Sequence, residues 1–283
     1  MKLATFSVAG RTGFGIVKQD GLVDAGRLLD NRYGSLKALL AGGALSELVR
    51  LGTSARPDYR LDAVTLLPVI PDPDKILCIG INYATHVRET GRETPKYPMI
   101  FVRFTNTQVG HGQPMVKPSV SDKFDFEGEL AVIIGHRGRH IPKERALEHV
   151  AGYACYNDGS VRDWQRHTVQ FTPGKNFVST GAFGPWMVSA DDIPDPARLT
   201  LTTRLNGEVM QHAPVSDLIF TVADLIAYIS TFTELVSGDV IVTGTPGGVG
   251  NYREPPVFMK QGDRIEVEIS EIGVLANPIV AEA

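Results

Sequence analysis

Short runs of β-branched and aromatic residues dominate the sequence and constrain its fold more than any other feature. After residue 70 they occupy residues 75–79, 99–104, 124–134, 152–156, 186–188, 199–205, 240–243 and 264–269. Helices are predicted between them only at 142–150 and 222–232. Strands this numerous and this unevenly interrupted predict an all-β or α+β core, not a doubly wound parallel sheet.

The first 70 residues have a different pattern. Strands are predicted at 3–8, 13–18, 21–24 and 61–67, and short helices at 35–40 and 45–49. Three prolines between Pro68 and Pro73 then end any helix or strand ladder. The sequence therefore predicts a small N-terminal domain, residues 1–70, and a larger domain, residues 71–283.

Composition and charge exclude several classes of protein. The chain has 283 residues and a formal net charge of −4, which argues against nucleic-acid binding but leaves anionic small substrates open. No apolar run approaches the ~18–20 residues that span a bilayer, and the N-terminus lacks the apolar core of a secretion signal. Cys78 and Cys155 are far apart, which indicates reduced thiols. We expect a cytoplasmic protein that binds neither nucleic acid nor membrane.

Alternating acidic residues mark the run at 124–134. On a single strand, Asp125, Glu127 and Glu129 would share one face, with Phe126 on the other. Neighbouring carboxylates raise one another's pKa unless a positive charge lies between them, and a hard divalent cation is the natural partner. A solvated strand face is the alternative interpretation, and this segment alone does not separate the two.

A second acidic position follows another predicted strand. Asp158 lies where that strand gives way to a turn containing Gly159, a common place for a ligand side chain. Asn157 and Asp158 could instead simply shape the turn. Three oxygen ligands, with the remaining positions left to water, would suit Mg²⁺ or Mn²⁺.

A glycine-rich segment at 244–250 is the remaining candidate for ligand contact. It lacks the Gly-Lys-Ser/Thr ending of a phosphate-binding loop, so nucleotide binding is not predicted. Loops of this composition can bring backbone N–H groups close to a ligand.

Several motifs, taken together, are specific to one family. They are Gly80-Ile81-Asn82-Tyr83-Ala84-Thr85-His86, residues 126–135, Asn157-Asp158, Arg162-Asp163-Trp164-Gln165, Gly174-Lys175, Gly184-Pro185-Trp186 and Thr243-Gly244-Thr245-Pro246. In these motifs and their order the chain resembles the fumarylacetoacetate hydrolase family, in particular bacterial acylpyruvate hydrolases and 2-hydroxyhepta-2,4-diene-1,7-dioate isomerases.

The resemblance implies an α+β, mainly β fold, with a mixed β-sheet roll or barrel around one divalent metal and usually a homodimer. The first 70 residues are similar to the small, variable N-terminal α/β domain of bacterial members. Glu127, Glu129 and Asp158 match the metal ligands. Mg²⁺ is the expected cofactor, with Mn²⁺ as the alternative and Ca²⁺ able to take the same site.

The resemblance also implies roles for residues around the metal. Gln165, Lys175 and Thr245 match substrate contacts, and Lys175 would offset negative charge that develops during the reaction. His86 and Glu89 match a pair that activates water. If both lie on one helical turn, their spacing of three residues lets them meet.

Three positions depart from the family pattern. Asn82 stands near a further aspartate ligand of the eukaryotic members, so no fourth ligand is predicted. Arg103 stands where many relatives have lysine, and because arginine grips a carboxylate through two donors we expect it to contact the distal end of the substrate. Asn176 follows Lys175 where an acidic residue is usual.

These features predict an enzyme acting on a small 2-oxo acid, with hydrolytic cleavage of an acylpyruvate preferred because His86 and Glu89 are both present. Oxaloacetate decarboxylation and isomerisation of an unsaturated 2-oxo dicarboxylate use the same enolate chemistry and stay open. A non-catalytic metal-binding scaffold of the same fold is the alternative from another class.

Overall fold

The computed structural model describes residues 1–19 and 21–283. Its strands are β1 (Lys2–Val8), β2 (Arg11–Lys18), β3 (Gly21–Asp24), β4 (Tyr59–Arg60), β5 (Thr65–Leu66), β6 (Ile76–Gly80), β7 (Met99–Val102), β8 (Gln108–Val109), β9 (Met115–Lys117), β10 (Phe124–Asp125), β11 (Gly128–Ile134), β12 (Val150–Asn157), β13 (Ser160–Val161), β14 (Gly181–Ser189), β15 (Thr200–Leu205), β16 (Glu208–Pro214), β17 (Val240–Val242), β18 (Arg264–Ile269) and β19 (Gly273–Ala281).

Helices are few and mostly short. They are α1 (Ala25–Leu28), α2 (Leu36–Ala41), α3 (Leu45–Gly52), α4 (Ala84–Thr90), α5 (Arg162–Gln165), α6 (Thr172–Lys175) and α7 (Val222–Phe232), with 3₁₀ turns at Leu61–Ala63, Thr105–Thr107, Lys143–His149, Pro196–Arg198, Val215–Asp217 and Gly250–Tyr252. Among the described residues, no helix is both long and apolar enough to cross a membrane.

The strands form one large mixed sheet, a smaller sheet and a short pair. The 12-stranded sheet has the order β4-β3-β2-β1-β14-β12-β11-β17-β6-β7, with β5 on β1 and β8 on β14. The second sheet has the order β16-β15-β18-β19-β9, and β10 pairs with β13. The predicted mainly-β α+β fold is confirmed. The barrel form is wrong, because the large sheet runs from β4 to β7 without closing.

Strand β11 lies at the centre of the molecule because both of its faces are apolar and covered. Leu130, Val132 and Ile134 pack into the core shared with α7 and the second sheet. Ala131 and Ile133 face a second core, shared with the N-terminal strands and α2 and α3. The strand is therefore packed on both faces, and residues 127–129 lie at its amino end.

The N-terminal strands extend the same large sheet. Strand β1 pairs antiparallel with β14, with Lys2 opposite Val188 and Leu3 opposite Met187. Leu3 also shares the second core with Phe183 of β14. The predicted strands at 3–8, 13–18 and 21–24 are confirmed.

Some predicted elements are wrong in type. The strand expected at 61–67 is a 3₁₀ turn followed by the two-residue β5, and the helix expected at 142–150 is a 3₁₀ segment. The helix at 222–232 is confirmed as α7, and its start is set by a capping box between Thr221 and Asp224.

The acidic run at 124–134 is divided into two strands. Strand β10 pairs with β13, whereas β11 pairs with β12 and β17. Phe126 and Glu127 lie between them, so the simple alternation of faces does not continue through this point. The division determines which carboxylates meet.

Candidate metal centre

Three buried carboxylates converge where β11 begins and β12 ends. These two strands pair with Gly128 opposite Asn157, and the Asp158 N–H donates to the Glu127 carbonyl at 2.8 Å. Glu127, Glu129 and Asp158 each offer one carboxylate oxygen within 4.8 Å of the others. The structure therefore brings together the three residues expected to bind the metal.

Two cationic side chains neutralise part of this cluster. Lys175 Nζ donates to Glu127 Oε2 at 2.7 Å and to Asp158 Oδ2 at 2.6 Å, and Arg162 Nη1 lies 2.6 Å from Glu127 Oε1. Burial alone would raise the pKa of Glu127, but Lys175 and Arg162 outweigh it and lower that pKa to about 2. Glu127 is therefore held as a carboxylate.

Glu129 has a different environment. Its Oε2 accepts the Gly244 N–H at 2.6 Å, and within the described residues its other oxygen accepts no hydrogen bond. Gly244 has a φ of +108°, which favours glycine, and a Cβ there would meet Asn82. Burial, followed by the charges of Asp158 and Glu127, raises the pKa of Glu129 well above its usual value. A cation among the three groups would supply the positive charge that Glu129 lacks, so this oxygen donor set fits a hard divalent ion.

Arg103, for which the sequence predicted a contact with the substrate's distal end, is buried against Asp158. Its side chain is fully buried behind Asp158, with Nη1 2.5 Å from Asp158 Oδ1 and 2.9 Å from the Gly159 carbonyl. Nη2 donates to Thr180 at 2.8 Å. Nε donates to Thr107, so each guanidinium nitrogen of Arg103 has a protein acceptor and the side chain is placed to orient Asp158.

Asp125 does not lie with the two glutamates as strand alternation predicted. Its carboxylate accepts Arg162 Nε at 2.7 Å and the backbone N–H groups of Gly250 and Asn251 at 2.8 and 2.9 Å. The break after β10 turns this side chain towards the glycine-rich segment. Asp125 thus links Arg162, which binds Glu127, to the 3₁₀ turn Gly250–Tyr252.

His86 and Glu89 meet on helix α4. His86 Nδ1 lies 3.0 Å from Glu89 Oε2, and Glu89 Oε1 accepts the Gly248 N–H at 2.9 Å. The Gly247 N–H donates to Thr85 Oγ1 at 3.1 Å. With Nδ1 held by a carboxylate, Nε2 of His86 is the nitrogen available to accept a proton.

Two of the three clustered carboxylates and His86 line one cavity. Its lining includes His86, Glu127, Glu129, Gln165, Lys175 and Thr245, so of the predicted site residues Arg103, Asp158 and Glu89 do not line it. Thr245 Oγ1 accepts Gln211 Nε2 and donates to the Gly128 carbonyl, so its hydroxyl is committed to protein partners.

Sequence reasoning missed several other lining residues. They are Ile79, Gly80, Ile81, Thr90, Arg92, Phe101, Arg162, Arg166, Phe171 and Tyr252. Arg162 is predictable from the sequence, since it begins the motif Arg162-Asp163-Trp164-Gln165, four residues after Asp158. The aromatic residues and the two exposed arginines, Arg92 and Arg166, lie outside the motifs, so the sequence does not mark them as lining residues.

Comparison with known proteins supplies the family. The model described as fumarylacetoacetate (FAA) hydrolase, C-terminal, matches residues 75–280. The chain belongs to the fumarylacetoacetate hydrolase family. The matched segment begins just after the proline-rich stretch and contains the three buried carboxylates and the His86–Glu89 pair.

Curated members of the fumarylacetoacetate hydrolase family similar to this chain include two oxaloacetate tautomerases. The mitochondrial enzyme of Bos taurus is 44% identical over 242 residues, and this alignment covers 84% of the present chain and 77% of the length of the bovine enzyme. An enzyme of Bacillus subtilis is 44% identical over 226 residues, covering 78% and 75%.

Solved structures of the fumarylacetoacetate hydrolase family share the fold along the whole chain. A fumarylacetoacetate hydrolase from Exiguobacterium antarcticum has a TM-score of 0.85 at 34% identity, and both chains are covered completely. A maleylpyruvate hydrolase from Sphingobium sp. SYK-6, in complex with manganese(II) and pyruvate, has a TM-score of 0.82 at 30% identity, also with complete coverage. That neighbour binds a divalent metal, and the buried acidic triad here is consistent with one.

Proposed function

We propose that this protein is a divalent-cation-dependent tautomerase that interconverts the keto and enol forms of oxaloacetate. The observation that carries the proposal is the placement of His86, oriented by Glu89, in the same cavity as Glu127 and Glu129. A base beside a metal-type carboxylate cluster is what proton removal next to a 2-oxo group requires.

Glu127, Glu129 and Asp158 would hold Mg²⁺ or Mn²⁺. Such a cation, when bound, polarises the 2-oxo group and favours removal of a proton from the adjacent carbon. Lys175 lies against two of the ligands and would offset negative charge on the substrate oxygen.

The chain also offers donors for the substrate's carboxylate. Arg162 Nη2 is buried and has no hydrogen-bond partner among the described residues. Gln165 accepts Arg162 Nη1 through its oxygen at 3.0 Å, which leaves its amide N–H groups for a ligand. Both residues line the cavity.

His86 performs the proton transfer in this proposal. In the keto form, Nε2 takes a proton from carbon 3, the electron pair of that C–H bond forms the C2–C3 double bond, and the π pair of the carbonyl moves onto its oxygen. Glu89 stabilises the resulting imidazolium through Nδ1. The protonated His86 then returns the proton from Nε2 to that oxygen, which gives the enol hydroxyl and restores the neutral imidazole. No bond between carbons breaks and no water is added, so the reaction needs no co-reactant.

Two tautomerases at 44% identity support this activity over hydrolysis. The second candidate is hydrolytic cleavage of an acylpyruvate, which the manganese- and pyruvate-bound maleylpyruvate hydrolase supports at 30% identity. The same His86–Glu89 pair could activate water for that reaction.

The test follows enol and keto oxaloacetate by ultraviolet absorbance, with acetylpyruvate cleavage measured in parallel. We expect fast tautomerisation with Mg²⁺ or Mn²⁺, none after chelation or in Glu129→Gln, and a rate about 10²–10⁴-fold lower in His86→Asn. His136→Asn, which changes an exposed histidine outside the cavity, is the matched control and should keep full activity.

Full tautomerase activity in His86→Asn would contradict the assigned base. Faster cleavage of acetylpyruvate than tautomerisation would favour the hydrolase. Absence of cation-dependent turnover on either substrate would favour a non-catalytic binding protein.

A further inference from the structure

The cationic residues of the cavity fall into two classes. Lys175 and Arg162 are buried, and each is ion-paired with two carboxylates. Arg166 and Arg92 also line the cavity, but each is exposed and forms no ion pair within the described part of the chain. The uncompensated positive charge of the cavity therefore lies on its exposed side.

Arg166 is held in place by its neighbours. It directly follows helix α5, and its backbone N–H donates to the Asp163 carbonyl at 3.0 Å. Its guanidinium carbon lies 5.8 Å from the centre of the Tyr252 ring, and Nη2 is 3.3 Å from the Tyr252 hydroxyl. This contact is a cation–π contact with one hydrogen bond and not an ion pair, so it orients Arg166 without cancelling its charge.

Tyr252 connects Arg166 to the reacting end of the cavity. The ring lies edge-on to the His86 ring, with centroids 6.2 Å apart. It belongs to the 3₁₀ turn whose first two N–H groups bind the buried Asp125 carboxylate. Arg166 is thus fixed relative to His86 through a turn that is itself anchored in the core.

Arg92 lacks such support. It follows Gly91, the left-handed residue that ends helix α4, and makes no hydrogen bond within the described residues. The Arg92 side chain would therefore lose more rotational freedom on binding a ligand than the Arg166 side chain, which Tyr252 already orients.

We propose that Arg166, oriented by Tyr252, is the specificity-determining residue that binds the second carboxylate of a dicarboxylic 2-oxo acid. The inference rests on the proposed function, which places the 2-oxo acid end of the substrate at the buried carboxylate cluster. A carboxylate at the other end then needs a positive partner near the opening. Among the described residues, four of the five guanidinium N–H donors of Arg166 have no acceptor.

The proposal predicts selectivity for ligands that differ only in that second carboxylate. Malate and lactate are such a pair, since both carry the same 2-hydroxy acid end and neither reacts by keto–enol exchange. A charge-assisted hydrogen bond predicts about 10–100-fold tighter binding of malate.

The experiment measures malate and lactate binding to the Mn²⁺-loaded full chain by calorimetry. In Arg166→Gln we expect the affinity for malate to fall about 10–100-fold while the affinity for lactate is unchanged. Arg166→Lys should recover part of the lost malate affinity. Tyr252→Phe should weaken malate by a smaller factor. Arg145→Gln, at an exposed arginine paired with Glu148 outside the cavity, controls for net charge.

Equal loss of malate and lactate binding in Arg166→Gln would overturn the proposal, as would loss of selectivity in Arg92→Gln alone. Oxaloacetate kinetics on the same proteins separate the two hypotheses. Malate selectivity that depends on Arg166, in a protein without tautomerase activity, would overturn the proposed function and support this role of Arg166.

Discussion

The buried carboxylates of the site differ in what neutralises them. In the part of the chain that the structure describes, Glu127 and Asp158 are each bound by two cationic side chains, Asp125 by one arginine and backbone N–H groups, and Glu129 by a single backbone N–H. Buried charges are costly unless paired, so each of these partners stabilises the carboxylate that it contacts. Glu129, the least compensated, is the group that a cation would stabilise most.

Arg103 fixes the position of Asp158, and a substitution tests this role. Arg103→Lys keeps a positive charge beside Asp158 but cannot contact Asp158, Gly159 and Thr180 together, so Asp158 becomes less well fixed. We expect cation affinity, measured by calorimetry, to fall about tenfold, corresponding to ~1.4 kcal/mol.

The KM for substrate at saturating cation should be unchanged in this variant, because Arg103 does not line the cavity. A raised KM with unchanged cation affinity would instead support the substrate contact that the sequence predicted.

At the scale of elements, helix α4 is attached to the glycine-rich segment by two backbone N–H groups. Gly247 donates to Thr85 and Gly248 donates to Glu89, so both bonds come from a loop that also binds Glu129 and Asp125. A seven-residue helix has little stability of its own. Its orientation, and with it that of His86, therefore depends on this loop.

Thr85→Val tests that dependence, since it removes one of the two bonds with little change in size. We expect faster hydrogen exchange across residues 84–92 and a several-fold lower kcat, with cation affinity unchanged. Thr231→Val is the matched control, because the hydrogen bond of its hydroxyl goes to the Tyr228 carbonyl, within helix α7. Unchanged exchange in Thr85→Val would show that the loop does not hold the helix.

Over the whole molecule, the N-terminal strands and the larger segment share one sheet and one core. Leu3 of β1 is fully buried and packs in the same cluster as Phe183 and Met187 of β14. The domain boundary near residue 70, the homodimer and the cytoplasmic location stay predictions. The shared core nevertheless predicts that the two parts unfold together.

Leu3→Ala provides the measurement. Removing this side chain should cost about 2–5 kcal/mol, because it leaves a cavity between β1 and β14. We expect urea unfolding, monitored by tryptophan fluorescence and by far-ultraviolet circular dichroism, to remain a single transition with its midpoint at a lower urea concentration. Leu147→Ala, at a partly exposed position, should cost much less. Two separate transitions would contradict the shared core.

Much of the fold and part of the site could be predicted from local pattern. Apolar runs predicted β1 to β3, β12, β15, β18 and helix α7, because burial of a periodic face is a local property of the sequence. The three-residue spacing of His86 and Glu89 was enough for them to meet once a helix formed. The three metal-type carboxylates followed from their motifs.

Local sequence pattern thus located many of the strands and identified the chemical groups that are present. Other contacts between distant residues depend on the folded chain: Asp125 binds N–H groups 125 and 126 residues away, and Arg103 reaches Asp158 across 55 residues. Pairing over such distances depends on how sheets and loops pack, and a two-residue break after β10 was enough to turn Asp125 away from Glu127 and Glu129.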